Sequence, residues 1–103
     1  MPLFAIIAFD APDSRAKRTD CLKSHVEILA AMKKEGRLFA AGPLCESLED
    51  TAEDIGSILI IDFDNQTEAE RWFKDEPYYK AGVYKTVTIR PYLDAMDFIS
   101  SYN

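Results

Sequence analysis

Two short runs constrain this chain more than anything else in it. They are Leu3–Asp10, LFAIIAFD, and Ile55–Asp64, IGSILIIDFD. Both are apolar at consecutive positions, carry β-branched and aromatic residues, and end at a charge. A strand with one wet face alternates apolar and polar residues, whereas a short, nearly continuous apolar run is a strand covered on both faces. A chain with two such strands has to find a layer for each side of its sheet.

The segments around these runs supply one layer. Ser14–Gly36 spaces its apolar residues helically, with Asp13 or Ser14 placed to cap the start, Lys33 and Lys34 in the last turn and Gly36 at the stop. On the helical wheel Leu22, Val26 and Leu29 group together, Cys21, Ile28 and Met32 lie beside them, and His25 falls between the two groups. Arg37–Ala41, RLFAA, reads as a second strand closed by a Gly42-Pro43 turn, and Leu44–Asp54 as an acidic loop long enough to suggest mobility or function. After the third strand, Asn65 or Thr67 caps a second helix, TEAERWFKD, whose inward residues are Ala69, Trp72 and Phe73. It stops at Glu76, because the residue before Pro77 is pushed out of the α region. An aromatic turn, PYYKAG, leads to the fourth strand, Val83–Pro91, with Val83, Val87 and Ile89 on one face and Tyr84, Thr86, Thr88 and Arg90 on the other. The tail, LDAMDFISSYN, reads as a short helix or a packing arm.

The order β-α-β-β-α-β predicts an α+β, ferredoxin-like fold: a four-stranded antiparallel sheet with two helices on one face. At 103 residues it is one domain, 1–103, with 93–103 as a C-terminal extension. The helices leave the other sheet face bare, although the first and third strands are apolar there too. A second copy in a two-fold homodimer is the expected cover, against the alternative of a monomer with a polar outer face.

Composition narrows the partners. The net charge is −6, and the densest basic stretch, Arg15, Lys17 and Arg18, is flanked by Asp13 and Asp20, so neither nucleic acid nor an anionic membrane is an expected partner. No apolar run reaches the roughly 20 residues of a membrane span, and MPLFAIIAFD lacks the marks of a signal peptide, which suggests a cytoplasmic protein. Cys21 and Cys45 read as reduced thiols, and with one histidine they cannot complete a typical structural zinc site.

His25 is the least hydrophobic choice on its helical face. It is either a packed histidine bonded to a carbonyl or a general acid/base, since imidazole titrates closest to neutrality. The second reading needs a carboxylate to fix its tautomer, and Asp10, Asp75 and Glu76 are the candidates. There is no phosphate loop, nucleophile elbow or second histidine, so the chemistry open to this chain is small: proton transfer, elimination or isomerisation.

Arg18 and His25, then Glu35-Gly36-Arg37-Leu38 and Ala41-Gly42-Pro43, then Glu76-Pro77-Tyr78 and Ala81-Gly82-Val83-Tyr84, resemble the YCII-related family in order and spacing over about 3–92. The resemblance implies a dimeric α+β barrel, similar in fold to muconolactone isomerases and to small antibiotic-biosynthesis-type monooxygenases. It also implies a His–carboxylate pair, whose histidine matches His25. The family's carboxylate usually precedes a Pro-Tyr or Pro-Phe pair as an aspartate; here that position is Glu76, preceded by Asp75. Two functions follow as expectations. One is a cofactor-free lyase or isomerase acting on a small organic acid or cyclic metabolite, with His25, Glu76 and Asp75 as catalytic candidates. Arg18, Gly42, Pro43, Pro77 and Tyr78 would then bind substrate, Arg18 by meeting an anionic group unless it is a surface ion pair with Asp13 or Asp20. The alternative is a noncatalytic dimeric module that holds a small ligand on the same fold.

Overall fold

In the computed structural model, which describes residues 2–102, the elements run β1 (Leu3–Asp10), α1 (Arg15–Lys34), β2 (Leu38–Cys45), β3 (Asp54–Asp62), α2 (Gln66–Lys74), α3 (Pro77–Lys80), β4 (Tyr84–Tyr92) and α4 (Met96–Ser100). The strands form one sheet in the order β2-β3-β1-β4, antiparallel throughout. This is the α+β arrangement the element order predicts. The two strands with apolar runs, β1 and β3, occupy the centre, where neither face is an edge.

The core lies between sheet and helices. Phe4, Ile6 and Ala8 of β1 pair with Ile61, Leu59 and Ser57 of β3, and the apolar members pack against Leu29 and Met32 of α1 and Ala69 and Phe73 of α2. Both long helices therefore cover one face. Ile7 and Phe9 point the other way, pair with Ile58 and Gly56, and stay 37% and 48% exposed. That face carries the apolar surface the β1 run predicts, without a cover within the chain.

Several local expectations are corrected. Gly42-Pro43 is no turn: β2 continues through both residues, pairing them with Ile58 and Ser57. β2 is an edge strand, where a residue without an N–H is tolerated. Ser14 occupies the N-cap position of α1, but its hydroxyl, with one hydrogen to share, lies within reach of the carbonyls of Ala11 and Val83 (2.6 and 2.7 Å) rather than capping the helix. The apolar stripe of α1 is also rotated from the wheel's reading. Arg18, Leu29 and Met32 are buried and Cys21, His25 and Ile28 half-buried, while Leu22 and Val26 are each 52% exposed. Near Phe9 and Asp10 the β1–β4 register shifts, so Asp10 pairs with Tyr84, which packs with the core instead of sharing the face of Thr86, Thr88 and Arg90. The tail forms α4, whose Met96, Phe98 and Ile99 are largely exposed. Among the described residues no helix is long and apolar enough to cross a membrane.

Candidate functional site

The site begins with the dipeptide Glu76-Pro77. Proline holds Glu76 extended (φ −68°, ψ 132°) and starts α3 at its own position, where a missing N–H costs nothing. Glu76 becomes the N-cap, its Oε2 accepting the Tyr79 amide at 3.1 Å. The cap turns the other carboxylate oxygen toward α1. There Glu76 Oε1 lies 2.5 Å from His25 Nδ1, with the Glu76 side chain fully buried and that of His25 12% exposed. A carboxylate cannot donate, so Nδ1 carries the hydrogen and donates it. The remaining lone pair of a neutral ring is then on Nε2.

Tyr78, one residue past the proline, stacks flat on His25 with centroids 3.8 Å apart and planes 6° from parallel. The guanidinium carbon of Arg18 lies 5.1 Å from the same ring centroid. Arg18 and His25 sit on one stripe of α1, two turns or roughly 10.5 Å apart along the axis. The buried Tyr78 ring fills the space between them. Burial pushes the Tyr78 phenol above its ordinary pKa, with the charge of Arg18 pulling partly back.

Arg18 is tied down on its inner side. Nε and Nη2 donate to the two oxygens of Asp10 at 2.7 and 2.8 Å, and Nη2 also reaches the Gly56 carbonyl (2.9 Å) and Ser57 Oγ (3.1 Å). Gly56 has to be glycine: a Cβ there would stand 2.4 Å from the Ala8 carbonyl oxygen. Tyr84 donates its hydroxyl to Ser57 Oγ at 2.8 Å. Burial works against the Arg18 charge, but the hydrogen bond and charge of Asp10 more than offset it and raise the pKa above the usual arginine value. Burial likewise pushes the Tyr84 phenol far up, with the Ser57 bond a smaller opposing effect.

The structure thus brings together His25, Glu76, Tyr78 and Arg18, with Pro77 setting the geometry. The ion pair of Arg18 is with Asp10, not with Asp13 or Asp20, and Asp10 serves Arg18 rather than His25. Asp75 does not join them. It caps the end of α2 and lines a groove of about 600 Å³ with Arg37, Arg71 and Trp72. Gly42 and Pro43 are exposed on edge strand β2. Ser57, Tyr84 and Asp54 escaped the sequence reading. The register shift beside Asp10, invisible in a face-by-face alternation, is what turns Tyr84 inward. Among the described residues no group of histidine, cysteine and carboxylate side chains is placed to hold a metal ion.

Residues 2–93 match the YCII-related domain. The chain is 36% identical over 93 residues to protein YciI of Escherichia coli O6:H1, covering 87% of this chain and 95% of that protein. It is 33% identical over 92 residues to an uncharacterized protein of Haemophilus influenzae, covering 86% and 94%. Among solved structures it superposes with a TM-score of 0.82, at 24% identity over 92% of this chain and 97% of the other, on the 5-chloro-2-hydroxyhydroquinone dehydrochlorinase TftG of Burkholderia phenoliruptrix AC1100 in complex with 2,5-dihydroxybenzoquinone. That likeness establishes a shared fold.

Proposed function

Because the chain belongs to the YCII-related family, we propose that it is a small enzyme of lyase or isomerase type that works by proton transfer, with His25 as the base and Glu76 as its partner. One observation carries the reading: a wholly buried carboxylate, 2.5 Å from the chain's only histidine. A buried carboxylate beside an imidazole orients the ring, fixes its tautomer and stabilises the imidazolium that forms when Nε2 takes a proton. Asp75, by its position, has no part in this.

The step balances without a cofactor. Nε2 removes a proton from carbon or oxygen of the substrate, and the released electron pair enters the substrate's conjugated system. Return of the proton at another atom isomerises the substrate. Departure of a leaving group from the neighbouring carbon, with its bonding pair, is an elimination. The dehydrochlorinase sharing this fold acts on a hydroxylated chlorinated ring, so hydroxylated cyclic acids and quinols are the first substrates to screen. Tyr78 and Pro77 shape the wall beside the base. The apolar face left open by β1 and β3 fits a second copy of this chain, making the working unit a homodimer.

A noncatalytic, ligand-holding reading is favoured by two features: Tyr78 covers one face of the His25 ring, and His25 lines neither the groove beside Asp75 nor a second one of about 790 Å³ beside Arg18. The two readings part in one experiment. A panel of hydroxylated cyclic acids and quinols is assayed with wild type and His25→Ala. General acid–base catalysis supplies about 10²–10⁴ in rate, so the variant should fall by that factor. Turnover that survives the substitution removes His25 as the base, and binding without turnover by the wild type supports the ligand-holding module.

A further inference from the structure

Arg18 is nine-tenths buried, and of its three side-chain nitrogens Nη1 alone makes no hydrogen bond within 3.5 Å among the described residues. Nε and Nη2 are occupied by Asp10, the Gly56 carbonyl and Ser57. Nη1 lies 3.6 Å from Asp54 Oδ2, an ion-pair contact beyond hydrogen-bond reach. Among the described residues no buried side-chain nitrogen or oxygen lacks a partner, so Nη1 is the part of the guanidinium that reaches the surface and is open to a ligand. Arg18 also lines a groove of about 790 Å³, formed where the end of β1, the first turns of α1 and the start of β3 meet, with Arg15 and Lys85 on the same lining.

Asp54 belongs to that lining too. It is the first residue of β3, its side chain is 38% exposed, and its other oxygen, Oδ1, accepts a weak bond from the Cys45 thiol at 3.5 Å. Asp10 already balances the charge of Arg18, so Asp54 brings the three-residue cluster to one net negative charge. Exchanging the Asp54 carboxylate for the carboxylate of a ligand leaves that charge unchanged. Adding an anion beside Asp54 raises it.

We propose that the outer edge of Arg18 is the seat for the carboxylate of a small organic acid lodged in this groove, and that Asp54 is a built-in placeholder which gives up the seat when the acid arrives. The seat lies one aromatic ring away from the His25–Glu76 pair, across Tyr78. A ligand anchored on Nη1 is held by its acid end, with its body in the groove lined by residues of 10–19 and 52–55. The seat deepens the substrate class of the preceding section and depends on that section only for making the bound acid a substrate. Binding to it needs no turnover.

The test is binding of benzoate, followed by calorimetry and by the NMR signal of the Arg18 Nε–H group. Asp54→Asn removes the placeholder's charge while keeping its shape. It should bind benzoate about tenfold tighter than wild type, the order of effect expected from one nearby charge. Asp13→Asn is the control. It lines the same groove and removes the same charge, and asparagine tolerates the positive φ of 59° found there. Equal tightening in the two variants would mean diffuse electrostatics and would overturn the seat, as would no benzoate binding by Asp54→Asn. A shift of the Arg18 signal on binding that is stronger in Asp54→Asn than in wild type and Asp13→Asn supports it. Tight benzoate binding by Asp54→Asn, together with undiminished turnover in His25→Ala, would leave the seat standing and remove the base.

Discussion

Two acid–base pairs hang from one stripe of α1, two turns apart and on either side of the Tyr78 ring, and they are built on opposite plans. Arg18 meets Asp10 with two parallel hydrogen bonds and adds a carbonyl and a hydroxyl, so the inner side of a permanently charged group is saturated. His25 meets Glu76 through one bond, and the partner's second oxygen is occupied by a helix cap. The inner side of the first pair holds strands β1 and β3 against α1, and only Nη1 of Arg18 is left over for a ligand. The second contains an imidazole, a group able to take up and release a proton, and keeps a ring nitrogen without a hydrogen-bond partner among the described residues. Burial alone does not separate scaffold from chemistry here. The number of occupied donors does, together with whether the cation can lose its charge.

The largest expected effects would break this contrast if they failed to diverge. His25→Gln keeps an N–H donor for Glu76 but cannot carry a proton. Its turnover should drop by about 10²–10⁴, while its urea-unfolding free energy stays within about 1 kcal/mol of wild type. Arg18→Met should do the reverse in stability. It leaves Asp10 buried without its cation, which costs about 3–5 kcal/mol, and the urea midpoint should move accordingly. If His25→Gln unfolds as readily as Arg18→Met, both pairs are scaffold. Glu76→Gln sharpens the distinction further. The amide oxygen can still cap α3, so the helix should survive, but a neutral partner no longer stabilises an imidazolium, and the rate should fall with little change in unfolding.

How much of this was legible in the sequence follows the same division. The order of elements and the burial of β1 and β3 could be read because apolar patterning reports directly on burial. His25 could be read because a lone histidine on an apolar helical stripe is conspicuous, whereas patterning left Asp10, Asp75 and Glu76 open as its partner and only the resemblance to the YCII-related family pointed to the Glu76 position. The role of Arg18 was half legible. Its position on the helix is plain, but Asp10 lies on another element, and the ion pair depends on how α1 packs against the end of β1. The inward turn of Tyr84 was hidden by strand register: a one-residue shift at Phe9 and Asp10 moves a side chain to the other face of a sheet. Gly42-Pro43 misled because local chemistry favours a turn there. The pairing with β3 keeps it extended, and an edge position forgives the missing N–H.

A smaller effect tests the contrast between the two faces of the sheet. The helix-covered face is complete within the chain, whereas Ile7 and Phe9 stand on a face without a cover. If a second copy covers it, light scattering of the wild type gives twice the chain mass. Ile7→Glu then weakens association by about 2 kcal/mol or more for each copy, the size of an interface hot spot. A wild type that runs at the mass of one chain at high concentration removes the homodimer.

The smallest effect separates the pairs by pH. Burial raises the Tyr84 and Tyr78 phenols above the ordinary tyrosine value near 10. In the unfolded chain each phenol loses its proton near pH 10, while in the folded chain each keeps it to higher pH. The folded state thus binds more protons than the unfolded state above that point. The stabilisation is complete below about pH 10 and declines as pH rises toward the folded values, by at most about 1.4 kcal/mol per pH unit for each phenol. Tyr84→Phe should lower stability by roughly 1 kcal/mol at neutral pH through loss of the Ser57 bond. It should also flatten the alkaline decline by up to one phenol's share, leaving that of Tyr78. The raised pKa of Arg18 keeps the Arg18–Asp10 pair charged through this range, so the decline belongs to the phenols. An alkaline slope unchanged in Tyr84→Phe would place the Tyr84 hydroxyl in contact with water and dissolve the buried polar cluster beneath Arg18.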